Sequence, residues 1–278
     1  MSENTQKKMS NLQDLLKSFE SVLVCFSGGV DSTFLLKAAL DELGPEKAVG
    51  FMVRSVLQPT WVSSEARCVG ESIGARIEEI DDDLLLLPDV KENRPERCYS
   101  CKREIMRAAM SRARALGLKQ VVEGMVVDDL EDNRPGRRAL EEMGVGSPLV
   151  ETGFTKEEVR EASKSLGLST WNNPSNTCLA TRFPTGVKIT ADKLERVAKS
   201  EFTLREEGFK IFRVRDHGNL ARIELAPVEF PAMFREGRLK RVVAALNEAG
   251  FKYVSMDLGG YRTGNMDNNK KDEKQKEG

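Results

Sequence analysis

The chain has 278 residues, 40% hydrophobic and 31% charged, with 43 basic against 44 acidic side chains and a net charge of −1. That is enough for one large domain or two ordinary ones with a proper core, and no global basic excess steers it toward nucleic acid. No apolar run approaches the ~18–20 residues that span a bilayer, and the polar start MSENTQKKMSNLQDLL lacks a signal-peptide core, so a cytoplasmic protein without membrane contact is expected.

In chain order, NLQDLLKSFESVLVCFS predicts a helix and then a strand, and residues 32–43 predict a helix stopped by Gly44 and Pro45. KAVGFMVRS is a second strand, SSEARCVGESIGA a helix ending at Gly74, and RIEEID a third short strand. Residues 97–116 carry the spacing of a long amphipathic helix and KQVVEG that of a fourth strand. Thr155 and Glu158 make a capping box that opens the helix KEEVREASKSLG. This alternation predicts an α/β fold, a parallel sheet doubly wound by helices on both faces. Near residue 187 the pattern changes. A helix over 191–207, the adjacent strands FKIFRVRD and NLARIEL, a helix over 231–249 and the strand KYVSMDLGG predict a smaller C-terminal α+β domain in αββαβ order. The expected division is 1–186 and 187–265, followed by a polar tail over 266–278 that is expected to be disordered.

SGGVDS, residues 27–32, sits where an apolar strand gives way to a helix. Gly28 and Gly29 let the backbone come close to a ligand with N–H groups turned inward, and a phosphate there meets the positive end of the helix. Ser27, Ser32 and Thr33 add hydroxyl groups. Asp31 beside an anion makes chemical sense with Mg²⁺ between them. The loop lacks both the Gly-Lys-Ser/Thr ending of a Walker A loop and the G-x-G-x-x-G spacing of dinucleotide sites, and an ordinary tight turn is the alternative. After the fourth strand, Asp128, Asp129 and Asp132 are either metal or ribose ligands or a solvated acidic loop.

The five cysteines and the single histidine, His217, exclude multi-histidine metal sites and argue against a disulfide framework or a histidine-based triad. Cys25, in the first strand, and Cys68, in a helix, are read as core thiols. RCYSCKRE sets Cys98 and Cys101 at C-x-x-C spacing in the first turn of a helix, where the helix dipole favours thiolate, the metal-binding and nucleophilic form. Cys178 stands in the Asn- and Pro-rich loop NNPSNTCLATRFP, where packing has no need of a thiol. Three thiolates admit three readings. They are an incomplete structural zinc site, a 4Fe–4S cluster with one iron open to a ligand such as sulfide, or a Cys98–Cys101 redox pair beside an independent nucleophile at Cys178.

Arg213 and Arg215 alternate on FRVRD and so share one face of a strand. Arg222 in LARIEL and Arg262 in GGYRTG are candidates to converge with them on a mononucleotide phosphate and a carboxylate through forked hydrogen bonds. Arg182, four residues beyond Cys178, is a candidate to hold pyrophosphate or an acyl phosphate. Glu201 and Glu224 are candidates to orient these arginines, because an unpaired buried guanidinium is costly. Arginine carried for solubility on exposed strands is the alternative, and His217 is read as a loop residue.

SGGVDS as a whole resembles the pyrophosphate loop of the PP-loop ATP pyrophosphatases. Together with DNRPGRR, TCLATRFPTG, RVRDHGNLARIEL and DLGGYRTG, it makes the chain resemble the LarE family, ATP-dependent sulfur transferases of nickel-pincer nucleotide biosynthesis, along nearly all of its length except the tail. The resemblance implies a HUP-like first domain that binds ATP and Mg²⁺ at residues 27–33 and cuts ATP to AMP and pyrophosphate. It implies adenine against Arg54 and Ser55 at the end of the second strand, with Gly124 packed on the nucleotide. The implied substrate is a small-molecule mononucleotide, pyridinium-3,5-biscarboxylic acid mononucleotide, whose carboxylate is adenylated and converted to a thiocarboxylate, with Asp31, Cys178 and Arg182 as catalytic residues. In the single-cysteine form of the family, the cysteine matching Cys178 surrenders its own sulfur and becomes dehydroalanine. This chain adds Cys98 and Cys101 and is similar to the three-cysteine variety, which implies a 4Fe–4S cluster, an external sulfide donor and catalytic turnover. A homo-oligomer is also implied. A tRNA thiolase sharing the loop needs a basic RNA-binding surface that the charge balance does not offer, so no stable nucleic-acid partner is expected. A non-catalytic nucleotide-binding regulator is the other alternative, and Asp31 and the three thiols argue against it.

Overall fold

The computed structural model describes residues 1–130, 135–174, 177–235, 237–262 and 266. The elements run α1 (Glu3–Ser18), β1 (Val22–Cys25), α2 (Val30–Leu43), β2 (Ala48–Arg54), α3 (Thr60–Ser72), β3 (Arg76–Asp81), α4 (Pro88–Lys91), α5 (Arg97–Ala115) and β4 (Gln120–Val122). They continue with α6 (Pro135–Glu142), α7 (Pro148–Glu151), α8 (Lys156–Ser165), α9 (Ala191–Glu206), β5 (Phe212–His217), β6 (Leu220–Leu225), α10 (Phe230–Met233), α11 (Arg238–Glu248) and β7 (Tyr253–Met256). Two compact units result, residues 1–84 with 98–176, and residues 85–97 with 177–278. The break falls ten residues before the expected one, and the segment 85–97 joins the second unit. Asn93 supplies the physical reason. Fully buried, it donates through Nδ2 to the carbonyls of Phe183 (3.3 Å) and Pro184 (2.8 Å), and its own carbonyl accepts from Gly186 N (2.9 Å).

In the first unit four parallel strands lie in the order β3-β2-β1-β4. Side-chain alternation on β1 explains its two-sided core. Val22 and Val24 pack with Leu12 and Leu16 of α1, Phe34 of α2 and Val159 of α8, whereas Leu23 packs with Met106 and Ala109 of α5 and Leu140 of α6. Each of the Val, Leu, Phe and Met side chains among them, fully buried, contributes about 1.5–3 kcal/mol. Helices therefore cover both faces, as the alternating pattern predicts. The capping box is present. Glu158 N donates to Thr155 Oγ1 (3.3 Å) and Thr155 N to Glu158 Oε2 (2.9 Å).

The second unit is built on a mixed three-stranded sheet, β5-β6-β7, with β5 antiparallel and β7 parallel to β6. The αββαβ order is as read from the sequence, but the helix expected over 231–249 is two pieces. Gly237 takes a left-handed φ of 67° ahead of α11 and interrupts the run. Among the described residues no helix is long and apolar enough to cross a membrane. Met266 is buried, and the rest of the expected tail, 267–278, lies outside the described residues.

Candidate functional site

β1 delivers the glycine loop to the C-terminal edge of the parallel sheet, where α/β folds place their ligands. Gly28 adopts a φ of 70°, and a Cβ added there would sit 2.6 Å from both Cα and Cβ of Ala66. Only glycine lets the loop lie this close to α3. Gly29 caps α2, which therefore starts at Val30, two residues before the expected Ser32. Ser27 N donates to Ser32 Oγ (3.2 Å), and the two hydroxyls are 3.0 Å apart. Gly124, beyond β4, approaches so closely that a Cβ would lie 3.0 Å from Ser32 N. Ser27, Gly29, Asp31, Ser32 and Gly124 line a cavity of about 390 Å³, within the usual range for small-ligand sites. Thr33 Oγ1 is buried and has no hydrogen-bond partner among the described residues.

Three charged residues to which the sequence assigned no role also line this cavity: Lys102 of α5, Glu123 after β4 and Arg137 of α6. Lys102 Nζ stands 4.0 Å from Glu123 Oε2, and Glu123 Oε1 accepts from Ser147 Oγ (2.8 Å) and Met125 N (3.1 Å). The available signal for Lys102 was its place directly after the C-x-x-C pair. Arg54 instead turns to Asp81, donating from Nη2 to Oδ2 at 2.7 Å, and Ser55 Oγ accepts from Leu57 N (3.3 Å). The β2 wall of the cavity is Phe51, Met52 and Val53.

Burial pushes Asp31 up to about 6, with Lys156 opposing the shift and Asp129 adding to it. Asp128 and Asp129 are tied to the head of α8, through Lys156 N (2.9 Å) and Lys156 Nζ (3.1 Å) respectively, and Asp129 also lines the cavity. Asp132 lies outside the described residues. A folded value near 6 against an ordinary 3.8 means that the stability contribution of Asp31 is fully present below pH 3.8 and is lost as pH rises through about 6. Without nucleotide, Asp31→Asn is therefore expected to stabilise the protein at about pH 8 by on the order of 1–2 kcal/mol, a few degrees of melting temperature, and by less toward pH 5. Calorimetry at both pH values checks this, and an unchanged or lowered midpoint at the higher pH contradicts the burial argument.

The thiols divide between the units. Cys98 is exposed and Cys101 half-buried, one turn apart on α5. Tyr99 between them is braced against α6, donating to Glu142 Oε2 (2.6 Å), with the Arg138 guanidinium 4.1 Å from its ring centre. Cys178 belongs to the second unit, where it heads the 3₁₀ turn Leu179–Arg182 and its Sγ accepts from Ala180 N (3.4 Å). Within neither unit, among the described residues, do three His, Cys, Asp or Glu side chains form a metal-ligand set. Burial pushes the Cys25 thiol up to about 12, in keeping with a core thiol. Cys68 departs from its expected place in the core, because it is exposed. The buried positions of α3 are Ala66 and Gly70, and Cys68 falls midway between them, off that face.

The β5–β6 register pairs Arg213 with Glu224 and Arg215 with Arg222, so all four share one face of the hairpin. Arg215 donates from Nε (3.0 Å) and Nη2 (2.7 Å) to Glu224 Oε2, and from Nη1 to Thr181 O (2.8 Å). Arg222 donates from Nη2 to Glu224 Oε1 at 3.1 Å. The Arg213 guanidinium lies 5.1 Å from the Tyr261 ring centre, and burial, reinforced by Arg182, lowers its pKa. Arg182 forks onto Glu201 from Nε (2.7 Å) and Nη2 (3.0 Å). The buried guanidiniums of Arg182, Arg213 and Arg215 thus accompany the buried Glu201 and Glu224. Removing one partner of such a buried pair typically costs 3–5 kcal/mol. Arg262 stands apart from this buried group. It is exposed, with its guanidinium folded against Gly259. His217 ends β5 at the surface, and desolvation and nearby Arg222 lower its pKa.

No protein-family model matches the chain. It is 38% identical over 261 residues to an uncharacterised protein of Synechocystis sp., an alignment covering 94% of this chain and 97% of that one. It is 36% identical over 261 residues to the pyridinium-3,5-bisthiocarboxylic acid mononucleotide synthase of Lactiplantibacillus plantarum, covering 93% of both chains. An uncharacterised protein of Methanocaldococcus jannaschii is 29% identical over 257 residues, 92% of this chain and 96% of the relative.

Proposed function

The chain belongs to the pyridinium-3,5-bisthiocarboxylic acid mononucleotide synthase family, the LarE family, and from that membership we propose that it is an ATP-dependent sulfur transferase. It activates a carboxylate of pyridinium-3,5-biscarboxylic acid mononucleotide and exchanges an oxygen for sulfur. One observation carries this reading beyond the likeness. The buried arginine group and Cys178 share a scaffold, because Arg215 and Arg182 both donate into the turn that Cys178 heads. An anionic substrate and a sulfur atom are thus served by the same rigid element.

The first unit supplies activation. Its parallel sheet and bare glycine loop support assignment to the PP-loop ATP pyrophosphatases, with the Ser27 and Ser32 hydroxyls at the cavity wall available to a phosphate oxygen. Asp31 and the loop suit a Mg²⁺-bound triphosphate, the metal offsetting both the buried carboxylate and the charge of departing pyrophosphate. The substrate carboxylate attacks the α-phosphorus of ATP, giving an acyl adenylate and pyrophosphate. Sulfur then adds to the acyl carbon and AMP leaves, taking the bonding electron pair. Arg213, Arg215 and Arg222 hold the mononucleotide phosphate and the second carboxylate by charge-assisted hydrogen bonds. Cys98, Cys101 and Cys178, three thiolates without histidine, fit a 4Fe–4S cluster, which would supply sulfide at its unligated iron.

Anaerobic incubation with Mg-ATP, sulfide and the mononucleotide tests the reading. The expected products are AMP, pyrophosphate and a mononucleotide heavier by one oxygen-to-sulfur exchange per carboxylate. AMP formation that depends on tRNA, with the mononucleotide unchanged, would replace it with the thiolase alternative.

A further inference from the structure

We infer that Arg182 is a positioning residue for sulfur delivery, a clamp that fixes the turn carrying Cys178. The residue is 3% exposed, and all three guanidinium nitrogens donate to protein acceptors. Nη1 reaches Thr177 Oγ1 (2.7 Å), Thr177 O (3.3 Å), Cys178 O (3.3 Å) and Thr181 Oγ1 (2.7 Å), so it grips the turn at both ends. Nε and Nη2 are forked on Glu201, itself buried, whose Oε1 also accepts from Val214 N (3.0 Å). The turn is thereby fastened to α9 and β5 through one side chain, and Arg215 adds a second tie at Thr181 O.

Such fastening has a physical purpose. The four-residue turn Leu179–Arg182 has few backbone hydrogen bonds of its own, among them Thr181 N to Cys178 O (3.0 Å) and Phe183 N to Ala180 O (3.3 Å). Short 3₁₀ turns have poor hydrogen-bond geometry and do not hold a side chain rigidly unaided. A guanidinium is a planar, five-donor fork and can serve Glu201 and the turn oxygens together, whereas a lysine ammonium cannot span both. The result is a defined direction for the Cys178 thiol, toward Ala180 N. Misplacing a reacting atom by about 1 Å costs on the order of 10²-fold in rate, so a wobbling turn would lower transfer without touching nucleotide binding. Arg182 therefore acts through Cys178 rather than on pyrophosphate or an acyl phosphate.

The inference takes from the proposed function only that Cys178 is the sulfur-side thiol, and its test is separable from that reading. Thr177 is exposed, so Thr177→Val removes one hydrogen bond of the clamp without breaking the buried pair, while Arg182→Lys removes the fork. In the full-length protein, stripped of iron with a chelator so that no metal shields the thiol, iodoacetamide labelling of Cys178 is measured by peptide mass spectrometry against the exposed Cys68 of the same molecule. The expected result for Arg182→Lys is a rise in this ratio on the order of fivefold and a fall in thiocarboxylate kcat of about 10²-fold, with KM for ATP within about twofold of wild type. Thr177→Val should move both in the same direction by less. A wild-type labelling ratio in both variants, with activity tracking the folded fraction by circular dichroism, overturns the clamp. If Cys178→Ala retains sulfur transfer, the assignment of Cys178 falls, and the labelling ratio still decides the clamp.

Discussion

Cys178→Ala is expected to lower thiocarboxylate formation by about a thousandfold or more while substrate-dependent release of AMP and pyrophosphate stays within about threefold of wild type. The glycine cradle lies wholly in the first unit and Cys178 in the second, so the change removes no residue of the loop that activates ATP. Nor should it unfold the turn. The clamp grips Cys178 through its carbonyl, which alanine keeps, and the hydrogen bond from Ala180 N to the thiol, which alanine gives up, is a long one at 3.4 Å. Chromatography with mass detection of all three products separates the outcomes. Equal loss of every product would make Cys178 part of the activation step, and undiminished thiocarboxylate would remove it from the chemistry.

Gly28→Ala is expected to reduce pyrophosphate release by about 10²-fold or more. An L-residue in the left-handed region costs about 1–2 kcal/mol, and here the new methyl also collides with the helix backbone at Ala66, so either the loop or α3 must move. Gly29→Ala provides the contrast, since Gly29 has φ −76° and an added Cβ would meet nothing closer than Ser27 Oγ at 3.3 Å. Its expected loss is below about tenfold. Equal effects of the two alanines on pyrophosphate release would show that the loop's close approach to α3 does not shape the cradle.

Much of this architecture is legible in the sequence because local patterns and global fold agree. The strands β1, β2 and β4 are apolar runs, β3 is a more polar edge strand, and the period of two places Arg213 and Arg215 together. The register that sets Arg213 opposite Glu224 is not legible, because it depends on the turn closing the hairpin. Glu201 is expected as an arginine partner, but its fork to Arg182 joins residues 19 apart, on a turn and a helix, and no spacing announces it. Lys102, Glu123 and Arg137 reach the cavity from three separate places in the chain, each an ordinary surface-type residue by composition. The attachment of 85–97 to the second unit hangs on buried Asn93, whose backbone partners lie 90 and 91 residues away. Cys68 defeats the expectation of a core thiol because cysteine is usually buried, and here the phase of α3 turns it outward.

In the proposed mechanism Cys98 and Cys101 of the first unit and Cys178 of the second act as one ligand set for transferable sulfur. Iron and acid-labile sulfide, measured per chain after anaerobic purification of wild type and of Cys98→Ala, Cys101→Ala and Cys178→Ala, test this most directly. The predicted result is about four of each in wild type and fewer than about one in every variant. Wild-type iron content retained in all three variants would contradict it.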